Sequence, residues 1–545
     1  MGKVVIIGSG ASGVHFALSL LSKGYEVVML DVGRAKPPAV NPEDDFNGLK
    51  TNLSDPAEYF LGSKFEAVVH PGSEGEYYGF PPHKSYIFSR PDAFKWEARG
   101  FAPLLSFAQG GLAETWTGGV YPLNAAELRE FPFDFEEIAP CYDEVARRIG
   151  VSGAIDDLAR FYPAHDHLLE PLRLDRHSQL LLEAYEKHKR FLNQELKCFF
   201  GRSRVAALSR DAHGRKGCSY TGRCLWGCPT GAFYTPSLTL DECRRYPNFT
   251  YLPGVLVSHF KFNPQRRVTS VVTKPLEPLG ETGSREFEAD RFALAAGTLS
   301  SSKIFMDSIW KTTGEVIKLT GLMDNRQILI PFINPRMIGA QYDPLSYQYH
   351  QVAMGIMGGV EGGVEGRGEY FHGLITTLKT ALVHPIVQNI PLDLRTAIAV
   401  FRNLRAGLGV VNLNFPDYRR ESSFVTLQTD DRTGQSKLEI NYAPSDNEPE
   451  TLRRTVKTVK KALWKLGCFA PPGMMHVRPM GASVHYAGTI PMSKTRSRHT
   501  ASADGQSHDF ENLFFADGTT FPALPAKNLT FALMANAVRV ADQAF

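Results

Sequence analysis

The sequence is poor in cysteine and in net charge, and each shortage excludes a class of protein. Seven cysteines among 545 residues are too dilute for a disulfide-stapled fold, and their odd number argues against complete pairing. The 60 Lys and Arg residues nearly balance the 57 Asp and Glu residues, which leaves a formal charge of +3. Because no global basic field results, we expect no nucleic-acid partner.

The sequence also lacks an apolar run typical of a transmembrane helix. The uncharged stretch from Val4 to Ser22 is interrupted by glycine, serine and histidine, and no small-residue cleavage site follows it. The uncharged stretch from Thr380 to Leu392 has thirteen residues and contains two prolines. We interpret it either as an apolar patch facing a membrane surface or an apolar substrate, or as ordinary core. The expected compartment is the cytoplasm, with export in complex with a partner as the alternative.

The amino-terminal residues form a pattern typical of dinucleotide binding. Residues 4–7 are a β-branched run, residues 14–21 predict a helix, and residues 25–31 predict a second strand that ends in an acid. The intervening G-x-G-x-x-G turn lets a pyrophosphate approach the backbone at the helix N-terminus. Asp31, 18 residues after the last glycine, is placed to accept ribose hydroxyls. The alternative is a glycine-rich structural turn. The motif residues are Gly8, Ser9, Gly10, Ala11, Ser12 and Gly13.

Later segments predict that the dinucleotide unit is discontinuous and that a second unit accompanies it. Residues 254–298 resemble the second half of a nucleotide-binding domain. Residues 410–415, 423–429 and 437–442 predict strands of an antiparallel sheet in an α+β unit. Residues 355–368, which include seven glycines, predict a flexible loop.

Three of the cysteines crowd into one loop. Cys218, Cys224 and Cys228 have the spacing C-x5-C-x3-C, followed by Pro229. Thiolates at such spacing can converge on a soft metal centre. Three interpretations stay open: an iron–sulfur cluster, reduced thiols without metal, and a zinc site. Zinc is the least favoured because no fourth Cys or His lies at zinc-finger spacing.

The carboxyl-terminal region supplies three further motifs, and with them a family resemblance. The motifs are His485 to Met492, Asn512 to Pro522, and Asn528 to Thr530 at the start of a helix. Together with the glycine turn, they resemble the glucose-methanol-choline (GMC) flavoprotein oxidoreductases. The resemblance spans both ends of the chain and is weak between about residues 310 and 410.

The resemblance implies an α/β fold with two interleaved domains. A discontinuous Rossmann-like FAD-binding domain comprises residues 1–35, 85–125, 200–310 and 480–545. An α+β substrate domain with an antiparallel sheet comprises residues 36–84, 126–199 and 311–479. FAD is expected to bind non-covalently, because no histidine occurs near Thr115, where some relatives attach the flavin. Besides the glycine turn and Asp31, the implied cofactor-binding residues are Gly110, Gly111, Thr115, Trp116, Thr117, Val255, Asp517, Gly518 and Thr530.

The resemblance also implies the reaction, in which the hydroxyl of an alcohol, a sugar or another polyol is oxidised by hydride transfer to flavin N5. His485 matches the family's base, and a neutral imidazole is suited to take the hydroxyl proton. Asn528 matches the partner that hydrogen-bonds the developing alkoxide.

The cysteine spacing is similar to that of iron–sulfur-containing, FAD-dependent glucose dehydrogenase flavin subunits. That similarity implies a [3Fe-4S] cluster that passes electrons to an external acceptor, whereas bare thiols would leave oxidase and dehydrogenase equally open. Two alternatives remain. One is a flavin-dependent desaturase or steroid-type oxidase acting on an apolar substrate, for which the only hint is the stretch from Thr380 to Leu392. The other is a catalytically silent electron-transfer subunit.

Overall fold

A computed structural model describes residues 2–545 except 39, 42–43, 71–75, 164, 277–283, 359–368 and 431. The predicted flexible loop at 355–368 therefore lies mostly outside the described residues. Its first part, residues 355–358, ends a β-strand.

A five-stranded parallel sheet comes from the segments predicted to bind the dinucleotide, and we call it the nucleotide side. The β-branched run at residues 4–7 is its central strand, and the four side chains are at most 4% exposed. Val5 pairs with Phe292 on one side and with Val28 on the other. In spatial order, the strands are Leu513–Phe515, Arg291–Leu294, Lys3–Ile7, Glu26–Leu30 and Phe249–Leu252.

The first and last helices of the chain pack against each other beside this sheet. They are Ala11–Ser22 and Thr530–Ala544, and both contribute buried residues to one apolar cluster with the sheet. All five strands come from segments assigned above to the FAD domain. The exact domain boundaries stay a prediction.

A six-stranded antiparallel sheet comes mostly from the segments predicted to form the substrate domain, and we call it the substrate side. The helices Arg176–Gln194 and Glu448–Lys465 supply apolar residues to the same core cluster as this sheet. In spatial order, its strands are His476–Val477, Gln327–Ile333, Leu408–Asn414, Glu369–Thr377, Val352–Gly358 and Cys198–Arg202.

The three strands predicted between residues 410 and 442 are divided between two sheets. The first lies in the six-stranded sheet. The other two, Phe424–Asp430 and Gln435–Asn441, form an antiparallel hairpin in a four-stranded sheet with Leu319–Thr320 and Trp96–Arg99. The remaining pairings are the sheet of Val255–Phe262, Val268–Pro275 and Arg285–Glu288, and the two-stranded pairs Asp417–Tyr418 with Ala523–Leu524 and Val151–Ser152 with Leu168–Leu169.

The remaining helices connect these sheets. Four of them begin at an aspartate whose carboxylate accepts a backbone N–H of the first turn, as at Asp134, and several end at a glycine, as at Gly150. They are Phe46–Asn52, Pro56–Leu61, Phe135–Ile149, Pro236–Cys243, Thr298–Thr313, His384–Val387 and Leu394–Leu404, with short 3-10 turns at Pro82–Ile87, Gly111–Thr115, Asp157–Arg160, Pro335–Met337, Arg405–Gly407 and Gly518–Thr520. None of the helices in the described residues is long and apolar enough to cross a membrane.

The uncharged stretch from Thr380 to Leu392 is mostly partly exposed, and Val387 is its one buried residue. It contains the short helix His384–Val387, and Val387 is buried together with Phe401. Val383 and Leu392 are 43% and 51% exposed.

Candidate active site

A cavity at the carboxyl ends of the parallel strands collects most of the predicted cofactor residues. This is the edge at which open α/β sheets bind ligands. The residues of the prediction that line it are Gly8, Ser9, Gly10, Ala11, Ser12, Asp31, Gly111, Val255, Asp517, Gly518 and Thr530.

The three glycines of the glycine turn differ in backbone conformation and in the space around them. Gly8 has φ +103°, a conformation that disfavours side chains. A Cβ on Gly13 would lie 2.1 Å from the carbonyl oxygen of Gly8, whereas a Cβ on Gly10 would meet no atom within 4 Å. The chain therefore requires glycine at position 13 for its own packing, and Gly10 leaves space toward the cavity.

Asp31 lies just after the second strand and is held by two hydroxyl groups. The Ser9 hydroxyl donates to its Oδ2, and the Tyr251 hydroxyl donates to the same oxygen at 3.2 Å. Burial raises the pKa of Asp31 to about 6, against the effect of these hydrogen bonds. At neutral pH the group is therefore mostly a carboxylate, the form that accepts hydrogen bonds from ribose.

Asp517 occupies a comparable position at the opposite side of the cavity. Its Oδ2 accepts hydrogen bonds from the Gly297 N–H at 2.9 Å and from the Ser301 hydroxyl at 2.5 Å. Its Oδ1 accepts the Thr519 hydroxyl at 2.7 Å. Burial raises the pKa of Asp517, and these donors oppose that rise. The carboxylate thus joins the strand end at 513–515 to the helix that begins at Thr298.

Five predicted cofactor residues do not line the cavity. Gly13 packs within the glycine turn, and the Gly110 N–H donates to Ser9 Oγ at 3.0 Å, so both support residues that do line it. Thr115 ends a short 3-10 turn. Trp116 donates its indole N–H to the Tyr234 carbonyl at 2.8 Å, and the Thr117 carbonyl accepts the Tyr347 hydroxyl at 3.2 Å.

His485, the predicted base, has its ring orientation fixed by Asn325. His485 Nδ1 lies 2.9 Å from Asn325 Oδ1. The Asn325 amide nitrogen donates to the carbonyls of Phe415 and Pro525, at 2.8 and 3.1 Å, so its oxygen must face the histidine. A carbonyl oxygen only accepts, so Nδ1 carries the proton and Nε2 keeps a lone pair. His485 is therefore held in the tautomer of a base.

The loop that carries His485 is held by a buried carboxylate. Asp324 accepts hydrogen bonds from the Gly481 N–H at 2.6 Å, from the His485 N–H at 3.3 Å and from the Ser483 hydroxyl. Within the loop, Val484 has φ +60°, which is rare for a β-branched residue. Such backbone conformations persist where surrounding contacts impose them, often at functional sites.

Burial keeps His485 uncharged over most of the accessible pH range. It lowers the pKa of His485 to about 4, and the positive charge of Arg478 adds to this effect. The neighbours of His485 in sequence, Val484 and Tyr486, line the cofactor cavity. The site thus offers a neutral imidazole on a loop that borders the cavity.

Asn528, the predicted alkoxide partner, precedes the last helix and approaches the glycine-led segment at 110–119. A Cβ added to Gly119 would lie 3.5 Å from Asn528 Cγ. Asn528 Oδ1 is buried and has no hydrogen-bond partner in the described part of the chain. The adjacent Lys527 anchors the segment by donating to the carbonyls of Pro122 and Phe161, at 2.8 and 2.6 Å. The carboxamide is therefore positioned by its neighbours and remains free to bind a substrate.

The cysteine loop and Trp116 pack against one hydrophobic cluster, which contains Tyr347. Cys224 Sγ accepts the Gln348 N–H at 3.5 Å, and Cys228 Sγ accepts the Phe233 N–H at 3.4 Å. Burial raises the pKa of Cys218 to about 11. Burial also raises the pKa of Cys224 well above its usual value, and Cys218 adds to that rise. These are the properties of protonated thiols.

As placed, the three thiols do not form a metal site. Across residues 2–545, outside the gaps given above, no group of three His, Cys, Asp or Glu side chains is arranged to hold a metal ion. The predicted cluster is therefore not supported by the geometry of the loop.

Sequence patterns do not reveal the residues that surround His485 and Asn528. Asp324 and Asn325 lie about 160 residues before His485 in the chain. No motif marks them, because their role depends on contacts between distant segments. Two buried histidines, His350 and His372, were missed for the same reason.

Comparisons with known proteins agree with this architecture. Residues 419–537 match the family model for the C-terminal domain of the GMC oxidoreductases. Paromamine 6'-oxidase of Streptomyces fradiae is 27% identical over 56% of this chain, and the match spans only 49% of that enzyme. 2-Methyl-1,2-propanediol dehydrogenase of Mycolicibacterium austroafricanum is 22% identical over 99% of this chain and 94% of its own length.

Among solved structures, pyridoxine 4-oxidase from Mesorbium loti superposes with a TM-score of 0.60 at 15% identity, over 99% of this chain and 98% of that one. This likeness confirms the predicted fold class, with its parallel nucleotide-binding sheet and separate antiparallel sheets. The matches together also confirm the predicted enzyme class. The chain is therefore an oxidoreductase that carries the C-terminal domain of the GMC family at residues 419–537.

Proposed function

We propose that this chain oxidises a hydroxyl group of an alcohol, a sugar or another polyol with non-covalently bound FAD, and that His485 is the base. The observation that carries the proposal is the fixed tautomer of His485, which leaves Nε2 as an acceptor on a loop whose residues Val484 and Tyr486 line the predicted cofactor cavity. The names of the relatives, an oxidase of paromamine and a dehydrogenase of a diol, agree with a hydroxyl substrate.

The residues that line the cavity fit a dinucleotide. The open space at Gly10 admits a pyrophosphate, the N-terminus of the helix Ala11–Ser22 favours its negative charge, and Asp31 can accept ribose hydroxyls. Asp517 and Gly518 lie across the cavity from this end. When bound there, FAD supplies a hydride acceptor at its N5 atom.

The protein residues handle the proton and the developing charge. His485 Nε2 takes the hydroxyl proton as the carbon–hydrogen bond is broken, and Nδ1–H remains bonded to Asn325. The amide nitrogen of Asn528 donates a hydrogen bond to the oxygen as it gains negative charge, whereas the unpaired Asn528 Oδ1 can only accept one. Because the site is buried, these interactions are less screened than they would be in water.

The experiment is anaerobic mixing of purified protein with alcohols, followed by the flavin absorbance. We expect a yellow protein whose flavin is bleached by at least one alcohol or sugar, and a His485→Ala variant that stays yellow without bleaching. A colourless native protein, or a flavin that no hydroxyl compound reduces, would contradict the proposal. Alkene products in place of carbonyl products would favour the desaturase alternative.

The proposed mechanism uses no iron–sulfur cluster. Its support is the C-x5-C-x3-C spacing and the two backbone N–H groups that point at thiol sulfurs. Because the thiols as placed form no metal site, no step is assigned to them. Iron analysis of anaerobically purified protein tests the cluster, and a result without iron would remove it. Electrons then pass from the flavin to an external acceptor, either oxygen or another carrier.

A further inference from the structure

Two buried histidines lie on the substrate side beside His485 and Asn528. His372 lies within the strand Glu369–Thr377, in the interior of the six-stranded sheet, and is fully buried. His350 precedes the neighbouring strand Val352–Gly358 and is 2% exposed. Both are therefore attached to rigid elements, which can hold a side chain in place more accurately than a mobile loop.

These histidines face the same space as the predicted catalytic pair. A Cβ added to Gly119 would lie 3.3 Å from His350 Nε2 and 3.5 Å from Asn528 Cγ, so both groups approach one point. The ring of Tyr121 lies 4.4 Å from the ring of His372 and 6.3 Å from that of His350, measured between centroids. His372 also lies within electrostatic range of both His350 and His485.

Each of the two histidines presents an unused polar atom. His350 Nε2 and His372 Nε2 are buried and have no hydrogen-bond partner among the described residues, like Asn528 Oδ1. The other ring nitrogen of His372, Nδ1, lies 2.8 Å from the Tyr370 hydroxyl. Leaving a buried donor or acceptor unpaired costs about 1–3 kcal/mol, so three such atoms around one space indicate a polar ligand.

The charge state of the site selects the kind of ligand. Burial lowers the pKa of His350 to about 3 and the pKa of His372 well below its usual value, so both rings are neutral at neutral pH. Lys527, a cation within electrostatic range of His372, is paired with Glu127. Neutral imidazoles bind hydroxyl groups as donor or acceptor.

We propose that His350 and His372 bind hydroxyl groups of the substrate next to the one being oxidised, and so make the enzyme selective for diols, polyols and sugars over simple alcohols. This inference rests on the proposed function. It assigns the two histidines to substrate recognition and leaves the proton transfer to His485.

The test compares four proteins: wild type, His350→Phe, His372→Phe and the control His177→Phe. His177 is also buried, packs against Phe332 and lies outside the proposed site. Anaerobic flavin reduction is measured with 1-propanol, 1,2-propanediol, glycerol and glucose. Flavin content and melting temperature show whether each variant folds.

We expect the wild type to prefer the compounds with several hydroxyls. In each of the two site variants, the ratio of kcat/KM for the best polyol to kcat/KM for 1-propanol should fall about 10- to 100-fold, while the control keeps the wild-type ratio. An unchanged ratio would overturn the inference and leave the proposed function standing. If no compound reduces the flavin of the wild type, both the inference and the proposed function are contradicted.

A binding measurement gives a second readout that needs no turnover. His485→Ala protein, which should retain FAD, is titrated with the best polyol, and the flavin absorbance reports binding. Adding His350→Phe should raise the Kd for the polyol about 10-fold or more, and adding His177→Phe should leave it unchanged. Equal Kd values for all three proteins would overturn the inference even if the kinetic ratios had changed.

Discussion

The nucleotide side and the substrate side of the cavity use different chemistry. The nucleotide side presents glycine backbone and two carboxylates, Asp31 and Asp517, each surrounded by hydrogen-bond donors. The substrate side presents neutral rings, among them His485, and the carboxamide of Asn528. The hydroxyl groups of a fixed cofactor can be met by fixed hydrogen-bond acceptors, whereas a neutral substrate and a moving proton are better met by groups that stay uncharged.

The strongest test of this contrast is removal of the base. His485→Ala should lower the rate constant for flavin reduction about 10²- to 10⁴-fold, because general base catalysis contributes about that much. FAD content should remain at the wild-type level, since His485 is not among the residues that line the cofactor cavity. Stopped-flow absorbance measures the rate, and the ratio of flavin to protein measures the occupancy. Loss of FAD together with activity would show that the two sides are not separable.

The converse test changes the nucleotide side alone. Gly10→Ala adds a methyl group that meets no protein atom within 4 Å, so the FAD-free protein should keep its melting temperature. The methyl group would occupy the space through which a pyrophosphate approaches, and we expect FAD binding to weaken by about 1–3 kcal/mol, as in an overpacked site. Flavin titration of the FAD-free protein measures this change. Unaltered FAD affinity would mean that the pyrophosphate binds elsewhere.

A smaller effect is expected from the residue that orients the base. Asn325→Leu removes the acceptor of His485 Nδ1–H and should lower flavin reduction about 10-fold, the equivalent of one lost hydrogen bond. FAD content should not change. Asn403→Leu, on the surface of the helix Leu394–Leu404, is the matched control. Equal rates for both variants would show that Asn325 does not fix the tautomer.

The smallest effect concerns pH. His485 acts as a base only when neutral, and burial lowers its pKa to about 4. Flavin reduction should therefore be independent of His485 protonation between about pH 5 and 8 and should fall as the pH drops through about 4. Asn325→Asp places a carboxylate beside Nδ1–H, which stabilises the charged ring and should move this acid limb to higher pH. Rapid pH-jump experiments measure the acid limb of the rate profile for the wild type and for the variant. Circular dichroism shows whether each protein remains folded. If the acid limb of the variant lies at the same pH as that of the wild type, the limb reports the protonation of a group other than His485.

Part of the nucleotide side could be predicted from local sequence because its first elements are neighbours in the chain, whereas Asp517 was proposed only from the family resemblance. One stretch of about 30 residues contains the strand, the glycine turn, the helix and Asp31, and each has a local pattern. The fold class and several strands and helices followed from similar local periodicity. His485 and Asn528 were proposed from their resemblance to family motifs, and their roles stay proposals.

The substrate side could not be predicted in the same way. Asn325 meets His485 across 160 residues, and His372 meets Tyr121 across an even longer separation. These contacts depend on which strands of the six-stranded sheet are neighbours, and on where its edge meets the glycine-led segment. A single sequence contains no local signal for either. The division of the strands at 408–414 and 424–441 between two sheets was missed for the same reason.

The parallel sheet also constrains how the protein is made. Its central strand, Lys3–Ile7, is separated in the chain from the edge strand Leu513–Phe515 and from Asp517 by the whole of the six-stranded sheet. Because the helix Thr530–Ala544 packs in one apolar cluster with the helix Ala11–Ser22, the predicted cofactor cavity cannot be completed before both segments have been synthesised. The predicted cofactor site is therefore assembled only after the strands of the six-stranded sheet have been translated.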